Sequence, residues 1–389
     1  MADIRSYLLQ QLVPLWCDQG TATNGGIVEQ LDRNQQPILL GYRRHLVQCR
    51  QLYLFSAAAL IGGHQRFLAK ADHLFEFINQ YFWDAVSGGW YFKLDDQLRP
   101  LTPTKDCYSH AFMIFACAYY FAASGNRKAI EAANRTYEIL EQRFKDTKAG
   151  GYFEAIDVDT QPAPRRQNPH MHLFEAALAM HSLTPESNYL NLADQLYLLF
   201  KAHFYDASTK TLREFFSDDW QYDRQTGHRI EPGHHFEWVF LLVEYHQAKQ
   251  RETKIDSKTK EPDNSIIDIA EILFSFAQAN GFDHRYGGIF DQVSSNGDVL
   301  KTTKRIWPQL EYIKALIARQ TYLKQQDQAL NQQRLQAAIA HLFTHYGLAS
   351  GQWWEHLDQA LSPINDRLPA STPYHLFYAL RQMLEHQSS

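Results

Sequence analysis

Apolar residues recur along this chain with two periods. Long stretches hold them at i, i+3 and i+4, or are apolar nearly all round, over 109–123, 172–181, 237–250, 266–280, 310–323, 335–346 and 375–386. That spacing predicts helices, and those without a polar face must be buried on every side. Between them a turn signature returns: Asp or Asn, then Gly-Gly or a lone Gly, then an aromatic or branched residue. It stands at Asn24-Gly25-Gly26-Ile27, at Asp84 to Gly88-Gly89-Trp90, at Asp146 to Gly150-Gly151-Tyr152, at Asp283 to Gly287-Gly288-Ile289 and at Gly351-Gln352-Trp353, with a copy lacking its glycines from Asp206 to Phe215. Successive copies lie roughly 60 to 63 residues apart, except for about 76 between the fourth and fifth. The hydrophilic stretch 249–265 accounts for that excess as a surface insertion. Each turn leads into a short strand-like segment (89–95, 151–157), a helix, a loop and a second helix. Six helix pairs with alternate helices buried predict a closed ring, an all-α (α/α)6 barrel with short β-hairpin-like turns at one end, formed by residues 1–389 as a single catalytic domain. An open solenoid would want polar capping repeats, and the terminal copies are no more polar than the rest.

Composition narrows the partners. Net charge is −5 and the 38 basic residues are spread along the chain, so neither nucleic acid nor an anionic membrane has an electrostatic footprint. No apolar run reaches the roughly 18 residues needed to cross a bilayer. Met1 to Trp16 lacks the continuous apolar region of a signal peptide. Cys17, Cys49, Cys107 and Cys117 form no CxxC pair, which fits a reducing compartment, and the protein is expected to be cytoplasmic. The unusual figures are 14% aromatics and 18 His.

Polar residues break the apolar pattern at one phase of the repeat. Counting about 21 to 24 residues forward from each turn reaches Gln48 to Gln51, Tyr108-Ser109-His110, His170 to Glu175, His234 to Glu237, Trp307 to Glu311 and Tyr374-His375. Repeat geometry sets these at one height around one mouth of the barrel, where a pocket belongs. A ring of helices has no structural need for such groups on its axis, and burying them unpaired is costly. His234 and Glu237 stand at i, i+3, so the carboxylate is expected to orient the imidazole; His172 and Glu175 repeat the spacing. The helix N-terminus and the Glu act in opposite directions and are expected to leave the His pKa near neutrality. HExxH and nucleotide-binding glycine loops are absent, so no metal and no cofactor are expected.

Several of these segments resemble the N-acylglucosamine 2-epimerase superfamily: Gln48-x-Arg50-Gln51, Asn168-Pro169-His170-Met171-His172-Leu173-Phe174-Glu175, Glu231-Pro232-Gly233-His234-His235-Phe236-Glu237-Trp238, Lys304-x-x-Trp307-Pro308-Gln309-x-Glu311 and Pro373-Tyr374-His375. The match runs in order over nearly the whole chain. It implies an (α/α)6 barrel acting on the reducing end of a free sugar without metal or redox cofactor. His172 within its motif looks more like the mannose isomerase and cellobiose epimerase branches. The resemblance makes His234 and His375 the acid/base pair, Glu237 the support of the first, and Arg50 and His172 substrate contacts; Tyr108, His110, Asn168, Glu175, Trp307, Gln309 and Glu311 complete the candidate substrate-binding set.

The expected activity is aldose-ketose isomerisation of D-mannose and D-fructose, with D-lyxose and D-xylulose as a second pair, through ring opening and a cis-enediolate. A sugar 2-epimerase is the first alternative. A disaccharide would need further Trp along the cleft, drawn from Trp83, Trp90, Trp220, Trp353 and Trp354. A sulfosugar or phosphosugar would need a cation such as Arg165, Arg166, Lys304 or Arg305. A two-carboxylate glycoside hydrolase and a protein-binding scaffold stand as rivals from other classes.

Overall fold

A computed structural model describes residues 3–62, 65–161, 164–184, 188–255 and 263–388. Among these, inner helices run over His45–Leu60, Cys107–Ser124, Asn168–Leu183, Pro232–Ile255, Ile306–Gln320 and Pro373–Ser388. Each packs on the next, and the last packs on the first, so the ring is closed. The helices start up to five residues before the apolar pattern does, because their polar first turns belong to the mouth. The outer helices Gln65–Tyr81, Lys128–Ile139, Asn188–Leu199, Ser265–Asn280 and Gln325–His345 back the first five inner ones. In the first of them Phe67, Ala71, Leu74, Phe75 and Ile78 recur along one buried stripe, the amphipathic pattern of a helix covering a core.

The sixth outer position is filled from the other end of the chain. The N-terminal segments Ile4–Ser6, Tyr7–Leu12 and Val13–Asp18 pack between the first and last inner helices. The repeat is thus offset by one helix from the chain ends. Part of the hydrophilic insertion, 256–262, lies outside the described residues; its flanks extend the fourth inner helix to Ile255 and open the next outer helix at Ser265.

The strand-like segments join neighbouring repeats. The strand entering each inner helix pairs antiparallel with the one after the next turn: Tyr42–Arg44 with Lys93–Asp95, Lys105–Asp106 with Ala155–Ile156, Arg165–Arg166 with Phe215–Phe216, Arg229–Ile230 with Gln292–Ser294, and Lys304–Arg305 with His356–Leu357. Leu368–Pro369 returns to Gln30–Leu31 and closes this crown as well.

Three recurring contacts hold crown to barrel. A side chain on the first turn of the inner helix accepts the backbone N–H just after the Gly-Gly turn: Gln48 from Ile27 (2.7 Å), His110 from Trp90 (3.1 Å), His170 from Tyr152 (2.9 Å), His235 from Leu212 (3.0 Å) and Gln309 from Ile289 (2.7 Å). Gly151 has φ +70°, and a Cβ there would lie 2.9 Å from His170 Nε2, so both the backbone conformation and the latch require glycine. Burial pulls His110, His170 and His235 down to about 3, which keeps each ring neutral with Nε2 free to accept. Next, the turn Asp pairs with a buried cation: Asp84 with Lys105, Asp146 with Arg165 and Asp283 with Lys304. Lys304 is fully buried and 2.8 Å from Asp283, so Asp283→Ala, which removes its counter-ion and leaves it the Gln359 carbonyl, is expected to cost about 3–5 kcal/mol in urea unfolding. Finally, a crown carboxylate accepts from the backbone N–H and guanidinium of the Arg preceding the helix: Glu29 with Arg44, Glu154 with Arg166 and Asp291 with Arg305.

Candidate active site

All six inner helices point their N-termini at the crown, so the positive ends of their dipoles converge on a cavity of about 270 Å³ at that mouth. First-turn residues Tyr108, Asn168, His234, Trp307 and His375 line it, with Arg50, His172 and Glu237 deeper. The crown adds Arg166, Glu214, Phe215, Glu231 and Arg305.

Three cavity histidines each bond a carboxylate through Nδ1. His172 reaches Glu175 Oε2, His234 reaches Glu214 Oε2 and His375 reaches Glu311 Oε1, all at 2.9 Å. A carboxylate at Nδ1 selects the tautomer with the proton there and leaves Nε2 for the substrate. The expected His234–Glu237 pairing is not what forms. His234 turns outward to the crown, and Glu237 points down the axis, its Oε1 lying 3.7 Å from His172 Nε2.

Glu214 occupies the crown-latch position held elsewhere by Glu29, Glu154 and Asp291. In this repeat the partner Arg is replaced by Glu231, which offers only its backbone N–H, 3.3 Å from Glu214 Oε1. With no guanidinium to bind, Glu214 Oε2 is available to His234. The sequence reading missed this residue, although aligning the four crown carboxylates after their turns would have exposed it.

The environments drive the two candidate acid/base groups apart. Burial would lower His234, but the Glu214 carboxylate, with Glu231 and Glu237, outweighs it and raises the ring to about 9. Burial lowers His375 to about 4, helped by Arg50 and Lys314 and only partly opposed by Glu311. Neither sits near neutrality, contrary to expectation. At pH 7 the mouth holds one imidazolium and one neutral imidazole, the separation an acid/base pair requires. Trp307 packs between them, its ring 5.0 Å from His234 and 5.9 Å from His375. Asn168 Nδ2 lies 3.3 Å from His234 Nε2 and can donate to the neutral ring; toward the charged ring the side chain would turn its unpartnered Oδ1, which accepts.

Arg50 donates to Tyr108 Oη at 2.7 Å and to the Ser371 carbonyl at 3.3 Å, over the faces of Phe112 and Tyr374. No carboxylate within ion-pair distance holds it among the described residues. Burial, reinforced by Glu311, pushes Glu237 well above the usual carboxyl range, so its acid form can donate into the cavity. His172, Glu175 and Glu237 place donor atoms within 4.8 Å of one another, a spacing a cation could use. Here Glu175 is occupied by His172 and by Tyr374 Oη at 2.6 Å.

Four expected substrate contacts lie elsewhere. His110 and Gln309 are turn latches facing away from the axis. Glu175 and Glu311 hold His172 and His375 and do not reach the cavity wall. No helix of the described residues is long and apolar enough to cross a membrane.

Residues 25–379 match the family model for N-acylglucosamine 2-epimerase. A mannose-6-phosphate isomerase of Rhizobium meliloti (strain 1021) is 29% identical, covering 98% of this chain and 96% of the relative. A D-mannose isomerase of Marinomonas mediterranea is 28% identical over 88% of this chain and 86% of its own, and a cellobiose 2-epimerase of Eubacterium cellulosolvens 27% over 61% and 66%. The fold matches a crystal structure of D-mannose isomerase with TM-score 0.85 at 23% identity, covering 99% of this chain and 98% of that one. The chain belongs to the N-acylglucosamine 2-epimerase family and is a sugar-converting enzyme of the isomerase class.

Proposed function

We propose that the protein is an aldose-ketose isomerase interconverting D-mannose and D-fructose, with D-lyxose and D-xylulose as a second pair. The observation that carries this reading is the pair His234 and His375, each bonded through Nδ1 to a carboxylate and facing one small polar cavity on either side of Trp307. The His234 imidazolium assists ring opening and places the C1 carbonyl of the open chain near Arg50. Neutral His375 removes the C2 proton while His234 protonates O1, giving the cis-enediol; Arg50 and the helix N-termini stabilise negative charge on the oxygens. His375 then returns its proton to C1 as His234 takes the O2 proton, and both residues recover their starting states. Were His234 to deliver a proton to the opposite face of C2, the product would be the 2-epimer.

A neutral monosaccharide fits the surroundings best. Arg165 and Lys304 are buried in their Asp pairs; Arg166 pairs with Glu154, and Arg305 with Asp291 and Glu231. Among the described residues that leaves no spare Lys or Arg for a phosphate or sulfonate beyond Arg50, which the enediolate needs. The cavity is below the roughly 300–1,000 Å³ typical of larger ligands, and of the Trp residues only Trp307 lines it. A hydrolase pair is unsupported, since Glu214 and Glu231 are engaged by His234 and Arg305.

Incubation with mannose, lyxose, cellobiose, N-acetylglucosamine and mannose 6-phosphate, followed by NMR, tests the reading. Fructose from mannose is expected; glucose from mannose would establish the epimerase instead. The pH profile of kcat/KM should be a broad bell. Activity falls below about pH 4 as His375 gains a proton and above about pH 9 as His234 loses one.

A further inference from the structure

The barrel axis beneath the cavity carries a charge that the reaction does not touch. Lys314, on the fifth inner helix, is fully buried, and its Nζ lies 2.9 Å from Glu311 Oε2, the oxygen not bonded to His375. Its ammonium also stands over the rings of Phe240 (4.4 Å) and Tyr378 (4.2 Å). We infer that Lys314 is a positioning residue of the isomerase: by neutralising Glu311 from below, it keeps His375 an unprotonated base. This inference rests on the isomerase reading for its kinetic consequence, though not for its physical one.

The argument is one of charge balance in a dry interior. Glu311, Glu175 and Glu237 converge on Lys314 from the fifth, third and fourth inner helices, and the first two hold its ammonium charged. Glu244 adds a further acidic group to the fourth helix, deeper on the axis. From the first helix Arg50 faces His375, and from the sixth come Tyr374 and Tyr378. The second helix contributes Phe112 beneath Arg50. Glu175 is held by His172 and Tyr374, and Glu237 lies well above the usual carboxyl range. Glu311 is thus the carboxylate that most needs a counter-ion. Lys314 and the His375 bond outweigh its burial and hold it down at about 2. Without the ammonium, the neighbouring imidazole is the nearest group able to supply positive charge. The His375–Glu311 pair would then retain a proton to higher pH, and a protonated His375 cannot take one from C2.

The test is a ¹⁵N NMR titration of His375 in substrate-free enzyme, alongside the pH profile of mannose conversion, for wild type, Lys314→Met and the double variant Glu311→Gln/Lys314→Met. In Lys314→Met the His375 midpoint and the acid limb of kcat/KM should both rise by at least about one pH unit, a tenfold change in the protonated fraction at a given acid pH. KM should stay within about threefold. The double variant, lacking both charges, should bring the His375 midpoint back down. A folded Lys314→Met protein with an unmoved midpoint overturns the inference. So does a wild-type His375 midpoint above pH 6, a reading that needs no variant to fold. If wild type fails to convert mannose, the functional reading falls while the titration still judges the Lys314–His375 link.

Discussion

Replacing His375 with asparagine should lower kcat/KM for mannose by about 10²–10⁴-fold, the usual contribution of a general base. Asparagine preserves a donor toward Glu311 and nearly fills the ring's place between Trp307 and Tyr374. What it removes is the lone pair on Nε2. The loss should fall on kcat with little change in KM, because the sugar hydroxyls are held by other groups on the wall. Circular dichroism and a thermal melt close to wild type would show that the barrel is intact. A variant that loses affinity and keeps its turnover would place His375 among the binding residues instead.

The second large effect is expected at Glu214, which sits on the crown rather than on a helix. Glu214→Gln keeps an acceptor for His234 Nδ1 and removes the charge that raises that ring against its burial. His234 should then drop well below about 9 as burial prevails. The alkaline limb of the pH profile should move down with it, and kcat/KM at pH 8 should fall about 10–100-fold. Near pH 5, where His234 regains its proton, much of the rate should return. A merely structural role for Glu214 predicts a uniform loss at every pH. The parallel change Glu237→Gln, at the residue first expected to support His234, should leave the alkaline limb much closer to that of wild type, since Glu237 does not touch that ring.

The barrel was legible from the Gly-Gly turns because each one demands positive φ and a close latch, and physics of that kind survives repetition. The phase of the polar residues was legible too, and it led to His234, His375, Arg50 and His172. What the repeat could not separate was the two faces of one helical turn. Gln48 and Arg50, His170 and His172, His235 and Glu237, and Gln309 and Glu311 are each two residues apart, about 200° around a helix, so one member latches the turn and the other looks down the axis. For that reason His110 and Gln309 look like substrate contacts in the sequence while the structure makes them latches. Glu214 was hidden differently. Its contact with His234 depends on the crown carboxylate losing its Arg partner to Glu231, a substitution that gains meaning only beside the intact copies at Arg44, Arg166 and Arg305. The N-terminal helices filling the sixth outer position were concealed by the offset between chain ends and repeat boundaries.

The most direct test of the central claim, proton transfer at C2 by His375 opposite a charged His234, is to follow D-mannose in D₂O by NMR with wild type and His375→Asn side by side. Proton transfer through an enediol predicts that wild type yields fructose carrying at one C1 position either deuterium or the hydrogen taken from C2, and that the variant yields almost no fructose over the same time. Fructose forming at an undiminished rate in the variant would contradict it.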